Sequence, residues 1–357
     1  MAVEDAWLVL IALPFATAFL VSIALGPGVI AMLKRRGVGQ VISEDGPDSH
    51  RAKAGTPTMG GLIILAGVLA GSLAALVAAH GTKPVFSSEG LARRHDLAAV
   101  LLLMLGFALV GMLDDYLTIR PAGGVRGIAS RPKAAVQALL AIAFVIWIAS
   151  HRPDGFLNIL TAGGHMLFGG LAYWVFAVVY IVGMANFVNI TDGLDGLASG
   201  LAAIAGAAVV VCIMLLPGGG RGECDPTLYA LLPAVAGACL AFLWFNANPA
   251  RVFMGDTGSM AVGAVLPAVA ILTHREVLMI VIGLVFVLDG LSSAIQWAVF
   301  KYTRITSGTG RRIFKKSPIH HHFELCGWPE QTVMARFWIM GAVAALIGFA
   351  GAVWRIW

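Results

Sequence analysis

Aspartates at the ends of long apolar runs are the side chains of this 357-residue chain best suited to chemistry. Asp114 and Asp115 close one such run in GMLDDYLTIR, residues 111–120. Neighbours on a helix point about 100° apart, so one carboxylate could meet a metal or a phosphate while the other orients a Lys or Arg. Acidic residues also end membrane helices in the headgroup region, and the pair alone does not decide between these readings. Asp256 opens another run in FNANPARVFMGDTGSM, residues 245–260, between Gly255 and Gly258 and downstream of Asn246 and Asn248. A lone Asp at a helix start is ordinarily an N-cap. Mg²⁺, however, favours a few carboxylate oxygens completed by water and substrate phosphates, and with Asp114 and Asp115 on the same membrane face a metal site is an equal alternative.

Three further segments carry polar side chains. NFVNITDGLDG, residues 186–196, holds Asn186, Asn189, Asp192 and Asp195 without a Lys or Arg. Gly193 and Gly196 there allow tight turns and close backbone approach to a ligand, and the carboxylates could accept hydrogen bonds from a uracil or ribose. Helix capping explains one of the two aspartates. SPIHHHFEL, residues 317–325, presents three consecutive histidines, which could bond a pyrophosphate, bind a metal or form an exposed polar turn. HRAKAGTPTMGG, residues 50–61, brings Lys53, Thr56 and Thr58 to a helix start, where the dipole favours an anion. Basic flanking of a membrane helix is the plainer reading of that segment.

The elements that must position these groups are membrane helices. The chain is 59% hydrophobic and 12% charged, with a mean hydropathy of +0.87; soluble domains average about 25% charged residues. Continuous rather than alternating apolar runs favour helices over a barrel. About ten runs reach spanning length: 7–32, 58–79, 97–117, 134–150, 171–187, 195–216, 228–246, 257–273, 276–300 and 333–354. The expected fold is thus an all-α, single polytopic membrane domain over residues 1–357. The first run follows Glu4 and Asp5 with no Lys or Arg and reads as a retained helix, not a cleaved leader. Loops 33–57, 114–133, 246–257 and 301–336 carry 17 of the 24 Lys and Arg. That side should be cytoplasmic, which places both termini outside and the polar segments in a cytoplasmic cleft. On the outer side, 218–227 is a Gly-rich connector and 151–170 suits a small interfacial hairpin. Cys224 is the one cysteine in an external loop, so no disulfide joins external loops. The net charge of +5 suits anionic lipid or an anionic substrate alike.

Together GTPTMGG, LDDY, NITDGLDG, FMGDTGS, PIHHHFEL and GWPE closely resemble the phospho-N-acetylmuramoyl-pentapeptide transferases, across nearly the whole chain. The triple-histidine segment favours this family over relatives that transfer other amino-sugar phosphates. The resemblance implies attack of undecaprenyl phosphate on the β-phosphate of UDP-N-acetylmuramoyl-pentapeptide (UDP-MurNAc-pentapeptide), giving lipid I and UMP. It implies Mg²⁺ dependence, a homodimer in the bacterial plasma (inner) membrane, and no nucleic-acid partner. By motif match Asp256 is the metal ligand, and Asp114 and Asp115 belong to the lipid-phosphate site. Asn186, Asp192, Gly193 and Asp195 line the nucleotide region, bordered by Asn246 and Phe253. Lys53, Thr58, Lys133, Gln296, His320, His321 and His322 complete the cleft.

The chain departs from the family pattern at three places. Thr118 stands where a Lys is common after LDDY, and Arg120 is the candidate substitute, although Arg and Lys bind phosphate differently. Asp289, inside an apolar segment, stands where Glu is common. The loop between Lys301 and the histidines is a few residues longer. Two rival functions are a sister transferase of UDP-N-acetylglucosamine and a transporter. Against the latter, the polar residues gather at one face instead of mid-bilayer, and no inverted repeat is evident.

Overall fold

The structure is a computed structural model that describes residues 3–39, 53, 55–81, 95–120, 127–151, 159–162, 165–215 and 226–354. Apolar runs become helices because lipid offers backbone N–H and C=O groups no partners, and only a helix satisfies them within one segment. The helices are α1 (Val3–Arg35), α2 (Gly61–Gly81), α3 (His95–Ile119), α4 (Ser130–His151), α5 (Leu171–Thr191), α6 (Leu197–Leu215), α7 (Pro226–Asn246), α8 (Gly255–Leu272), α9 (Glu276–Ile282), α10 (Leu284–Ser307), α11 (Ile319–Leu325) and α12 (Glu330–Val353). Between α4 and α5, β1 (Ile159–Ala162) pairs antiparallel with β2 (His165–Gly169), so the 151–170 stretch does hold a hairpin. Cys224 lies outside the described residues.

Nine of the described helices are long and apolar enough to cross a membrane, and the apolar part of α6, Leu197–Cys212, is shorter. These ten correspond to the ten runs read from the sequence, with two corrections. The run 276–300 is not one helix but two, α9 and α10, interrupted at Gly283. Hydropathy cannot report that break, because the residues on both sides are equally apolar. Helix α10 also continues to Ser307, so Lys301 and Arg304 are helical and not in a loop. Lys301 stays in the helix by laying its ammonium 4.9 Å from the centre of the Trp297 ring, as long basic side chains do near an interface. Gly308, at φ 74°, then ends the helix in a left-handed turn.

Helix α8 is the centre of the bundle. Every residue from Thr257 to Leu272 is buried, and α8 packs against α2, α3 and α5. At the periphery Leu20, Leu73, Leu102, Leu139 and Leu346 are all more than 60% exposed, as expected for side chains that meet lipid. Two glycines set how closely α8 is approached. A methyl group on Gly111 of α3 would overlap the Asp256 carbonyl, and one on Gly61 of α2 would overlap the Gly258 backbone. The first contact holds the Asp114–Asp115 end of α3 against the Asp256 end of α8. Gly111→Ala should therefore destabilise the protein by about 1–3 kcal/mol, the range for overpacking a tight seam. Thermal unfolding in detergent would report it as a lower midpoint; an unchanged midpoint would contradict the close approach.

Candidate active site

The C-terminal ends of α1, α3, α5 and α7 meet the N-terminal ends of α2, α4, α6, α8 and α12, so the polar connections fall together. Hydrogen bonds tie them: Thr58 N–H donates to Val38 O at 3.0 Å, Phe253 N–H to Pro57 O at 2.8 Å, and Gly60 N–H to Phe253 O at 2.8 Å. Asp114 and Asp115 diverge as helical neighbours must. Asp115 faces the start of α8, where its carboxylate accepts Asp256 N–H at 3.1 Å, Thr257 N–H at 3.0 Å and the Thr257 hydroxyl at 2.7 Å. It thus supplies from another helix the cap that α8 lacks in its own sequence. Thr58 completes this seam: a side chain on Gly255, which has φ 70°, would meet the Thr58 hydroxyl and the Asp115 carboxylate.

Asp114 faces the other way. Its carboxylate accepts Ile128 N–H at 2.6 Å and the Lys133 ammonium at 3.2 Å. The same ammonium donates to Asp256 Oδ2 at 2.5 Å, so one lysine bridges two carboxylates from different helices. Asp256 Oδ1 accepts from Asn189 Nδ2 at 2.7 Å, and that amide also reaches Ser259 Oγ at 2.9 Å. Asp192 lies beside this group. Burial, and then the charges of Asp256, Asp115 and Asp195, push its carboxyl well above the ordinary carboxylate range, against a Gly255 backbone N–H that lowers it. Among the described residues no three His, Cys, Asp or Glu side chains form a ready-made metal cluster. Asp114 and Asp256 instead form a carboxylate pair around one cation, a donor set that suits an ion taking one or two carboxylates along with phosphate and water.

A second group lies at the N-terminus of α12. Lys53 donates to Asp195 Oδ1 at 2.8 Å and Glu330 Oε1 at 2.5 Å, and Asp195 N–H donates to the same glutamate oxygen at 2.9 Å. Asp195 Oδ2 accepts from Asn248 Nδ2 at 3.0 Å and Ala250 N–H at 3.1 Å. Asn246 is nearly inaccessible, at 2%, and both ends of its amide are engaged within the protein. Its oxygen accepts Gly196 N–H at 3.0 Å and its Nδ2 donates to Val252 O at 3.0 Å. Asn246 therefore ties the 192–196 turn to the 247–254 connection, and Phe253 runs along that connection.

The three histidines diverge, as a single turn of α11 requires. His320 binds Asp289 of α10 and lies beside Gly193. His321 Nδ1 lies 2.6 Å from Glu324, and its Nε2 also faces Gly193, 3.4 Å from the position a side chain there would take. His322 turns away, accepting Lys315 N–H at 3.1 Å on Nδ1. Gln296 likewise holds the loop, its carbonyl accepting Phe314 N–H at 2.8 Å. Burial keeps the His321 ring below the ordinary value of 6.5, with Glu324 offsetting part of that effect. A depressed histidine opposes folding as the pH falls, because the unfolded chain takes up the proton first. The unfolding midpoint should thus drop below about pH 6.5 through His321, and His321→Gln should flatten that part of the profile between pH 8 and 5.5.

Of the residues singled out in the sequence, Asp114, Asp115, Asp256, Lys133, Asp192 and Thr58 come together around the start of α8. Lys53 and Asp195 form the neighbouring group, and His320 and His321 adjoin Gly193 between them. Asn186 reaches inward, donating to Gln137 Oε1 at 2.8 Å and Val182 O at 2.7 Å. Arg120 places its guanidinium 5.8 Å from the Tyr116 ring centre, one helical turn back. Thr118 lies with Asp114 along Gly127. Asn189 and Glu330 were given no role from sequence. Both stood inside recognised motifs, and the spacing of Asn189 three residues after Asn186 was the available signal.

Helices long and apolar enough to cross a membrane, with carboxylates and lysines converging at one end, define a polytopic membrane protein with a charged site at the helix ends. Residues 97–274 match the model of glycosyl transferase family 4, and residues 53–65 match signature 1 of phospho-N-acetylmuramoyl-pentapeptide-transferase. Over 350 residues the chain is 41% identical to the phospho-N-acetylmuramoyl-pentapeptide-transferase of Frankia casuarinae, covering 93% of each chain. It is 40% identical over 339 residues to the enzyme of that name from Bacillus thuringiensis, covering 94% of this chain and 96% of the relative. The chain belongs to the phospho-N-acetylmuramoyl-pentapeptide transferase family.

Proposed function

We propose that the protein transfers phospho-N-acetylmuramoyl-pentapeptide from its UDP-activated form to undecaprenyl phosphate, giving lipid I and UMP in peptidoglycan synthesis. The observation that carries this reading is the Asp114–Lys133–Asp256 bridge at the helix ends of a protein from this family. An oxygen of the lipid phosphate attacks the β-phosphorus of the donor, the bond from that phosphorus to the bridging oxygen breaks, and UMP leaves with the oxygen. Two anions must approach each other, so the work is positioning and charge stabilisation. Mg²⁺, held by Asp256 with Asp114 beside it, would supply the positive charge that lets the two phosphates meet.

Lys133 keeps the two carboxylates apart and correctly turned while offering its own charge to the phosphates. Asp114 is the group placed to take a proton from the lipid phosphate. That phosphate has a second pKa of about 6 and is already largely ionised, so proton removal is a minor contribution. Asp115 acts through α8, fixing the helix start that carries Asp256. Lys53, Asp192 and Asp195 receive the nucleotide, and binding exchanges the Lys53 ion pairs for contacts with the ligand. The basic loops support a cleft on the cytoplasmic face of the bacterial plasma membrane with both termini outside, and the family resemblance supports a homodimer as the assembly. Purified protein with Mg²⁺ and undecaprenyl phosphate should release UMP from UDP-MurNAc-pentapeptide at least tenfold faster than from UDP-N-acetylglucosamine. Preference for the latter would make it a sister transferase, and no release from either would sink the enzymatic reading.

A further inference from the structure

Asp289 is fully buried in α10, in a helix otherwise suited to lipid and protein interior. An ionisable group at such a place needs a partner, and its partner is His320. The His320 Nδ1 lies 2.7 Å from Asp289 Oδ2, and the His320 backbone N–H donates to Asp289 Oδ1 at 3.3 Å. One turn along α10, Ser292 Oγ accepts Ile319 N–H at 2.9 Å and donates to the Asp289 carbonyl at 2.6 Å. Gly290 makes room on the other side, since a side chain there would run into the Phe187 ring of α5. The start of α11 is thus held against α10 at several points, and the ring of His320 has one orientation.

That orientation leaves something over. His320 Nε2 is buried and finds no hydrogen-bond partner among the described residues. It is also the nearest atom to the position a side chain on Gly193 would occupy. Buried polar atoms are nearly always partnered, and an orphan in a well-ordered site calls for a ligand or a function. A histidine needed only to hold α11 in place would be satisfied by its Asp289 and backbone bonds, with no reason to aim a bare nitrogen at the acidic turn. Asp289 Oδ2 faces Nδ1 and so leaves Nε2 as the ring nitrogen open to a ligand. In a protonated ring held this way, Nε2–H would be a charge-assisted donor for a diphosphate oxygen.

We propose that Asp289 is a positioning residue that holds His320 with Nε2 at the Gly193 turn, where it donates to the diphosphate of the nucleotide substrate. The proposal rests on the reading of this cleft as a nucleotide site, and its test does not depend on turnover. UDP is the probe, with binding measured calorimetrically on the full-length protein in detergent and ring nitrogens followed in protein carrying ¹⁵N-histidine. Asp289→Asn should weaken UDP binding at least tenfold and shift the His320 resonances, and Asp289→Glu should restore both to within threefold. UDP should also shift the His320 Nε2 resonance of the unaltered protein.

Since removing a buried carboxylate can unfold a chain, His320→Gln provides a second route. It keeps an amide nitrogen near the Nε2 position and removes the atom that Asp289 holds, so adding Asp289→Asn on that background should cost no further UDP affinity. Unchanged UDP affinity in Asp289→Asn, or a further tenfold loss in the double variant, overturns the proposal. If UDP binds with this Asp289 dependence but UDP-MurNAc-pentapeptide is not turned over, the proposed transferase function fails and the positioning role stands.

Discussion

Asp256→Asn should lower kcat/KM for UMP release about 1000-fold or more, the scale on which a single group stabilising a phosphoryl-transfer transition state acts. The substitution is nearly isosteric. The Asn189 amide can still donate to the remaining oxygen, as it does now at 2.7 Å. The Asp256 backbone N–H stays on Asp115, so the cap of α8 is untouched and the unfolding midpoint should hold. What changes is at Oδ2. An NH₂ group there would face the Lys133 ammonium, which now lies 2.5 Å away, and two donors would oppose each other where one charge pair stood. The pair of carboxylates that can hold a divalent cation becomes a single one. Initial rates at saturating undecaprenyl phosphate across a Mg²⁺ series would read the effect. Activity within tenfold of the unaltered protein would remove Asp256 from the chemistry.

Lys133→Ala should cost about 100-fold in kcat, the lower end of the range for deleting one fixed positive donor at developing charge. The loss has two parts. Lys133 no longer offers charge to the phosphates, and Asp114 and Asp256 face each other without the cation that bridges them at 3.2 and 2.5 Å. Removing one member of a buried ionic group leaves the others uncompensated. Raising Mg²⁺ should therefore recover part of the loss, because a second cation can occupy a position between two carboxylates. Lys133→Arg should not rescue, since a planar guanidinium cannot take the place of a point charge shared by two helices. Rates equal to those of the unaltered protein, at any Mg²⁺ concentration, would contradict this role.

The helices and the three principal aspartates were legible because they are local. A run of apolar residues needs no partner to be recognised, and an Asp beside glycines at the end of such a run stands out. Asp115 shows where locality stops. In sequence it is the twin of Asp114, yet helix geometry sends it to the backbone of α8, and only the tertiary seam at Gly111 reveals that task. Lys133 and Gln296 entered through family resemblance, and Asn246 was noted only as a neighbour of Asp256 before that resemblance gave it a place. The structure divides them: Lys133 bridges the carboxylates, while Asn246 and Gln296 hold connections in place. Glu330 was visible inside GWPE, but a carboxylate's partner 277 residues earlier in the chain, Lys53, cannot be read from its neighbours. The break at Gly283 was hidden for the opposite reason, since both flanks are uniformly apolar and a single glycine is a weak signal.

The most direct test of the central claim is a single-turnover experiment in lipid nanodiscs. Labelled UDP-MurNAc-pentapeptide is mixed with excess protein, undecaprenyl phosphate and Mg²⁺, and UMP and the lipid-linked product are counted together. The account predicts that the two appear in equal amounts and on the same time course, that both need the lipid and Mg²⁺, and that Asp256→Asn yields neither. Lipid-linked product formed at the normal rate by Asp256→Asn, or UMP released without undecaprenyl phosphate, would contradict it.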